Sequence, residues 1–311
     1  MDFDNKMAEA VGADNVLRGE SMADHTTFRI GGKADYFITV TDENMLRDGI
    51  RVCREEDVPF YVTGKGSNLL VGDGGFRGVI FNIFGKMDRT DFTEEDGQLA
   101  VVCEAGELLS HLARSVCEKG YTGMEYAVGI PGTVGGGAAM NAGAYGGQIS
   151  DNICWADVMD SQGNVLHLTA DELELGYRRS IILQNNYIVL RAGFRFQPGD
   201  PEKISARVQE ISASRREKQP LEYPSAGSTF KRPDGYYSGK LIQDCGLKGY
   251  RIGGAEVSTK HSGFVINVDH ATADDVVQLI AHIRSEVMRR FNVNIEPEVR
   301  FIGEFTGKVD I

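Results

Sequence analysis

Residues 129 to 147 read Gly-Ile-Pro-Gly-Thr-Val-Gly-Gly-Gly-Ala-Ala-Met-Asn-Ala-Gly-Ala-Tyr-Gly-Gly, and the window from Gly120 to Gly147 holds ten glycines in 28 residues. A chain this poor in side chains loses the most backbone entropy on ordering and has little to bury in return. A compact fold keeps such a stretch where backbone must closely approach something flat or charged. A flexible linker would scatter Ser and charged residues among the glycines. Here Ile130, Val134, Ala138, Ala139 and Met140 stand between them and read as buried. The segment is therefore expected to be an ordered ribbon laid against a ligand.

A second glycine cluster lies upstream. Phe60-Tyr61-Val62-Thr63 reads as a short strand that runs straight into Gly64-Lys65-Gly66-Ser67-Asn68. Consecutive backbone N–H groups with little side-chain bulk suit a phosphate or pyrophosphate, the alternative being a tight turn. It is neither a P-loop nor a dinucleotide fingerprint, because Leu69 occupies the place of the third glycine of the latter.

Working outward, residues 2 to 18 read as a helix and residues 34 to 40 as a strand. Thr41 caps a helix with Met45, Leu46, Ile50 and Cys53 on one face. Strands follow at 79 to 83 and 99 to 103, then a helix from Glu107 to Lys119 stopped by Gly120. A hairpin spans 157 to 166 and a strand 188 to 196. A charged helix runs from Pro201 to about Lys218, then a loop from Tyr223 to Gly239 and strands near 250 to 257 and 264 to 267. The last helix, Asp274 to Phe291, has Thr272 as N-cap, Asp275 three residues on, and Val276, Leu279, Ile280, Ile283 and Val287 on one face. The pattern is α+β in three parts, bounded at 1–78, 79–203 and 204–311.

The 311 residues carry 33 Lys plus Arg against 45 Asp plus Glu, a formal charge of -12. A sequence-independent grip on nucleic acid is excluded as the main activity. The five cysteines are scattered without a C-x-x-C pair, and no histidine has metal-ligand spacing to acids or cysteines, so neither a disulfide framework nor a metal site is expected. An acidic N-terminus and the lack of a long apolar run point to a soluble cytoplasmic protein without a membrane segment.

Taken together, Gly64-Lys65-Gly66-Ser67-Asn68-Leu69-Leu70-Val71 and Gly129-Ile130-Pro131-Gly132 through Asn141-Ala142-Gly143-Ala144-Tyr145-Gly146 resemble the UDP-N-acetylenolpyruvoylglucosamine reductase (MurB) family. The likeness extends from Thr26-Thr27-Phe28-Arg29-Ile30-Gly31-Gly32 to Glu298-Val299-Arg300. It implies the two-subdomain FAD-binding fold of the vanillyl-alcohol-oxidase type plus a C-terminal α+β substrate domain. It also implies non-covalent FAD, NADPH as electron donor, and UDP-N-acetylglucosamine enolpyruvate as the small-molecule substrate. Both glycine segments would hold the cofactor, through Gly64, Lys65, Gly66, Ser67, Asn68 and Leu69 and through Gly129, Pro131, Gly132, Thr133, Gly135, Gly136, Asn141, Gly143 and Ala144.

The chemistry implied is hydride delivery to C3 of an enolpyruvyl ether and protonation at C2, with negative charge spreading into the carboxylate. By the same resemblance Arg178, in Tyr177-Arg178-Arg179-Ser180, grips that carboxylate, and a guanidinium offers a planar fork that stays cationic. Read without the family, the Arg-Arg pair is a solvated helix end. Ser228, in Ala226-Gly227-Ser228-Thr229-Phe230-Lys231, matches the proton donor, and Glu298 the third catalytic residue; if Glu298 begins a strand with Arg300, both project to the same face. Tyr177, Lys231 and Gln243 are expected at the substrate. The family's longer connection carrying a substrate-covering tyrosine is missing between Tyr187 and Phe230, as in its shorter subtype. Another FAD-dependent oxidase or dehydrogenase of the same fold, or a non-catalytic binder of flavin or nucleotide sugar, is the alternative, and a monomer is the expected state.

Overall fold

The computed structural model describes residues 2–307. The chain passes repeatedly between two compact units, one built from residues 2–17, 37–65 and 79–215, the other from 18–36, 66–78 and 216–307.

In the first unit, helix α1 (Phe3–Val11) is shorter than its periodicity predicts. Gly12 turns the backbone to φ 78, and the chain is a strand from Val16 to Ser21. Helix α2 (Glu43–Glu55) buries Met45, Leu46, Ile50 and Cys53 as expected, but its N-cap is Asp42 and not Thr41. The Asp42 carboxylate accepts from the Met45 N–H at 3.0 Å. The strand Phe60–Thr63 lies parallel to Phe76–Asn82, with Thr63 opposite Asn82 at the end that opens into the first glycine loop. There the Asn82 side-chain amide donates to the Gly64 carbonyl at 2.8 Å and fixes how the loop leaves the strand.

The larger layer of this unit is an antiparallel sheet whose strands lie in the order Val165–Thr169, Ile153–Met159, Ile188–Pro198, Gln98–Glu104 and Thr90–Glu95. Helix α3 (Leu109–Glu118) precedes Gly120 at φ 84. The second glycine segment is ordered, and its order takes the form of a helix and a hairpin. It contains helix α4 (Val134–Met140), capped by the Thr133 hydroxyl and ended by Asn141 at φ 43, then a tight hairpin pairing Gly143–Ala144 with Gly147–Gln148. Helix α5 (Ile181–Gln184) is a single turn, and α6 (Pro201–Lys218) has the predicted ends.

The second unit holds α7 (Ser238–Asp244), α8 (Ala273–Phe291), a three-stranded antiparallel sheet from Arg251 to Asn267, and the parallel pair of Arg300–Ile302 with Leu69–Val71. The predicted face of α8 is buried against Phe28, Ile30, Leu70, Phe230 and Val265. Glu298 lies before the strand that starts at Arg300, not within it.

The N-terminus of α8 is fully answered. Thr272 and Asp275 form the expected capping box, and the two Asp73 carboxylate oxygens accept from the N–H groups of Ala273 at 2.8 Å and Asp274 at 3.0 Å. Asp275 also accepts from Gly254 N–H at 3.1 Å, and a Cβ on Gly254 would meet the Asp269 carbonyl oxygen at 2.2 Å. The Gly253-Gly254 pair therefore serves a helix cap. Because a lost cap costs about 0.5–2 kcal/mol, Asp73→Ala should lower the thermal midpoint measurably, and an unchanged melting curve would contradict this role.

Candidate active site

In the first unit, Gly64 lies against Thr133. A Cβ on Gly64 would sit 2.3 Å from the threonine Oγ1, so the absent side chain lets the two glycine segments meet. Thr133 in turn caps α4, which is anchored by backbone bonds from Val134 N–H to Glu107 and from Gly135 N–H to Ala105. Gly135 has Ala105 2.7 Å from its would-be Cβ, and Gly147 has the Tyr126 ring at 2.4 Å. Most of these glycines thus serve packing within the protein. Gly136 differs, since it is exposed and a Cβ there meets only Thr133 Oγ1, at 3.6 Å.

Asn141 is 2 % exposed and its amide is engaged internally. Its Oδ1 accepts from Ser150 N–H at 2.9 Å, and its Nδ2 donates to the Gly176 carbonyl at 3.1 Å. That second bond ties α4 to the turn carrying Arg178. Gly176 and Arg179 exchange backbone hydrogen bonds, and Arg178 between them has φ 53. A left-handed residue at the third position of a turn is normally Gly or Asn, and another residue held there stores roughly 1–3 kcal/mol of strain. The turn is locked by Ser180, fully buried, whose hydroxyl donates to the Ala139 carbonyl at 2.6 Å and accepts from Leu183 N–H at 3.2 Å. This explains the serine of the Tyr-Arg-x-Ser pattern, to which sequence reasoning gave no role. Arg178 lies 5.0 Å from the centroid of the Tyr177 ring, itself 55 % exposed, whereas Arg179 pairs with Glu174 at 3.3 Å on the surface.

In the second unit, three segments distant in sequence are laced by backbone bonds. Glu298 N–H donates to the Thr229 carbonyl and Lys231 N–H to the Glu296 carbonyl, both at 2.8 Å, so the Ser228 and Glu298 segments run antiparallel. The Asn68 side chain donates to the Glu298 carbonyl at 3.1 Å, and Arg300 N–H donates to the Asn68 carbonyl at 2.9 Å. The far half of the first glycine loop, Gly66–Leu69, thus lies beside Glu298. A Cβ on Gly66 would meet the His25 carbonyl oxygen at 2.2 Å. Thr27, which the sequence singled out only as part of a matching stretch, joins the same lacing through hydrogen bonds with Ser225 and Gly66.

Ser228 is exposed, while its neighbour Thr229 is buried and accepts from Val265 N–H at 2.9 Å. The predicted substrate cation Lys231 pairs with Glu296 at 3.0 Å, and that ammonium holds the Glu296 carboxyl below the usual range. Arg232 stacks on Tyr237 at 3.9 Å. Gln243 is exposed on α7. His261 is half-buried, and its Nδ1 accepts from Gly263 N–H at 3.1 Å, which requires the neutral ring. Among the described residues no group of His, Cys, Asp and Glu has metal-binding geometry, and no helix is long and apolar enough to cross a membrane.

The family models that match the chain define a flavin-binding class of protein. The FAD binding domain family model matches residues 34–169, and that of the UDP-N-acetylenolpyruvoylglucosamine reductase C-terminal domain matches 219–302. The UDP-N-acetylenolpyruvoylglucosamine reductase of Clostridium botulinum (strain Eklund 17B / Type B) is 49% identical over 283 residues, 91% of each chain. That of Lachnoclostridium phytofermentans is 48% identical over 300 residues, 96% of each. The crystal structure of MurB from Thermus caldophilus superposes with a TM-score of 0.78 at 32% identity, covering 92% of this chain and 98% of that one. The chain belongs to the UDP-N-acetylenolpyruvoylglucosamine reductase family. A 4-ethylphenol oxidase from Gulosibacter chungangensis, at TM-score 0.50 and 17% identity over 95% of this chain and 64% of that one, shares the fold.

The residues present fit FAD. Gly136 leaves an open face on α4, and Arg215 of the same unit carries buried donors with no protein acceptor. Gly136→Ala should leave the fold at least as stable, since Ala exceeds Gly in helix propensity by about 1 kcal/mol, but should weaken FAD binding about tenfold. FAD titration with parallel melting separates the two effects, and unaltered affinity would remove Gly136 from the cofactor's surroundings. A second expectation concerns pH. Burial pushes the His261 imidazole below its ordinary 6.5, so its contribution to stability is present above that pH and is lost as pH falls through the lower folded value. His261→Gln should flatten the fall in melting temperature as pH drops below 6.5, and an unaltered slope would contradict it.

Proposed function

We propose that this protein is an NADPH-dependent flavoenzyme that reduces the enolpyruvyl ether of UDP-N-acetylglucosamine enolpyruvate, giving UDP-N-acetylmuramate for peptidoglycan precursor synthesis. Residues 1–78 and 79–203 hold FAD non-covalently, and 204–311 receive the sugar nucleotide, in keeping with the family-model matches at 34–169 and 219–302. We place it in the cytoplasm as a monomer. The observation that carries the reading is the lacing of the Ser228 and Glu298 segments to Asn68 of the first glycine loop.

FAD, when held by the two glycine segments, would supply hydride chemistry at C3, with NADPH as the electron source. The protein's own residues handle charge and proton. Arg178 offers donors to the substrate carboxylate, where negative charge grows as C3 is reduced, and the strained turn fixes its backbone before substrate arrives. Ser228 Oγ gives its proton to C2. A serine hydroxyl is a weak acid, but a carbon bearing carbanion charge is basic enough to take that proton. Its flank is rigid because Thr229 is bonded through its carbonyl to Glu298, through its N–H to Gly263 and through its hydroxyl to Val265. Glu298 works at the same reacting carbon, its backbone held by Thr229 and Asn68. Tyr177 and Gln243, both exposed, and Lys231, poised by Glu296, bind the remainder of the substrate.

Ser228→Ala should leave NADPH able to bleach the flavin while reoxidation by substrate slows by about two to four orders of magnitude, the range a general acid contributes. Stopped-flow absorbance resolves the two half-reactions. Full turnover in that variant would remove the proton-donor assignment.

A further inference from the structure

Helix α6 carries Arg207, Ile211 and Arg215 at successive four-residue intervals, hence along one side. Ile211 is buried, Arg207 donates to the Tyr145 carbonyl at 3.0 Å, and the Arg215 guanidinium lies 5.9 Å from the centroid of the Tyr145 ring. Tyr145 is itself held at φ 51 in the hairpin that closes the second glycine segment. At the start of that segment, a Cβ on Gly129 would fall 2.7 Å from Arg215 Cδ and 2.8 Å from Nε, so the glycine makes room for the arginine.

The Nε and Nη1 atoms of Arg215 are fully buried, and neither has a hydrogen-bond partner. No carboxylate among the described residues is paired with this guanidinium, although the sequence holds 45 acidic residues. Burial pushes its pKa down, yet an arginine side chain keeps its proton. Arg215 is half-buried as a residue, and a guanidinium whose buried donors go unanswered is unfavourable in the protein alone. The Tyr145 ring offers only a weak π contact at this distance. The two donors lie beside Gly129 and the Tyr145 ring, near opposite ends of the second glycine segment.

We infer that Arg215 is a ligand of the bound FAD, its Nε–H and Nη1–H donating to acceptor atoms of the cofactor. The inference rests on the FAD assignment and extends it to a residue outside both glycine segments. The acceptor is either the diphosphate or the pyrimidine edge of the isoalloxazine, where reduction adds negative charge.

The test uses full-length wild type, Arg215→Met and Arg215→Lys. Each is titrated with FAD after removal of bound flavin, melted with and without FAD, and poised against redox dyes to obtain the midpoint potential. Arg215→Met should weaken FAD binding about tenfold or more. Without FAD it should melt at or above the wild-type temperature, because an apolar chain of similar volume replaces an uncompensated cation. A lowered midpoint potential assigns the guanidinium to the isoalloxazine, and an unchanged potential with weakened binding assigns it to the diphosphate. If Arg215→Met does not fold, Arg215→Lys decides, since it keeps the charge but loses the fork, and its FAD binding should weaken. Unchanged affinity and potential in the variant that folds overturns the inference and leaves Arg215 a structural residue. Wild type that binds no FAD would instead refute the cofactor assignment itself.

Discussion

Glu298 is held from both directions along its own backbone, its N–H by the Thr229 carbonyl and its carbonyl by the Asn68 amide. Each bond is worth about 0.5–1.5 kcal/mol net, a modest energy. Their value is positional. They bring Asn68 of the first glycine loop, Thr229 next to Ser228, and Glu298 together in the second unit, although Asn68 and Glu298 are 230 residues apart in sequence. The α8 core beneath supplies rigidity, and Asp73, five residues beyond Asn68, caps that helix. The far half of the first glycine loop and the Ser228 and Glu298 segments are therefore mechanically continuous within this unit.

In the first unit the equivalent constraint is the missing side chain of Gly64. Thr133 fills that space, and its hydroxyl caps α4. From α4 the chain of contacts continues through Ala139 to Ser180 and through Asn141 to Gly176, and so to the turn in which Arg178 sits. The strain at Arg178 is sustained because bonds on both sides of the turn determine its shape. An arginine whose backbone is fixed beforehand loses less entropy when it takes up a ligand, which is what the role proposed for Arg178 needs.

Much of this was legible in the sequence. The apolar face of α8 and its capping box follow from a 3.6-residue period and a threonine followed three residues later by an aspartate. The ends of α6 follow from Pro201 and from the charged run that closes it. Helix α4 was not legible, because three successive glycines carry a propensity penalty near 1 kcal/mol each. Packing of Gly135 on Ala105 and Gly137 on Leu109 overrides that penalty. The glycines were read as room for a ligand, yet at Gly64, Gly66, Gly135 and Gly147 that room is taken by the protein itself. The roles of Ser180 and Asn68 depend on partners 41 and 230 residues away, which no local pattern encodes. Arg215 did leave a signal, an arginine on the buried side of an otherwise solvated helix, but its significance emerges only once its surroundings hold no acid.

The central claim is that one protein-bound flavin takes electrons from NADPH and passes them to an enolpyruvyl sugar nucleotide. The most direct measurement is an anaerobic visible spectrum of the wild-type protein through successive additions. A yellow protein should lose its long-wavelength absorption on one equivalent of NADPH and recover it on UDP-N-acetylglucosamine enolpyruvate. A colourless protein, or a bleached flavin that the sugar nucleotide leaves reduced while oxygen restores it, would contradict the account.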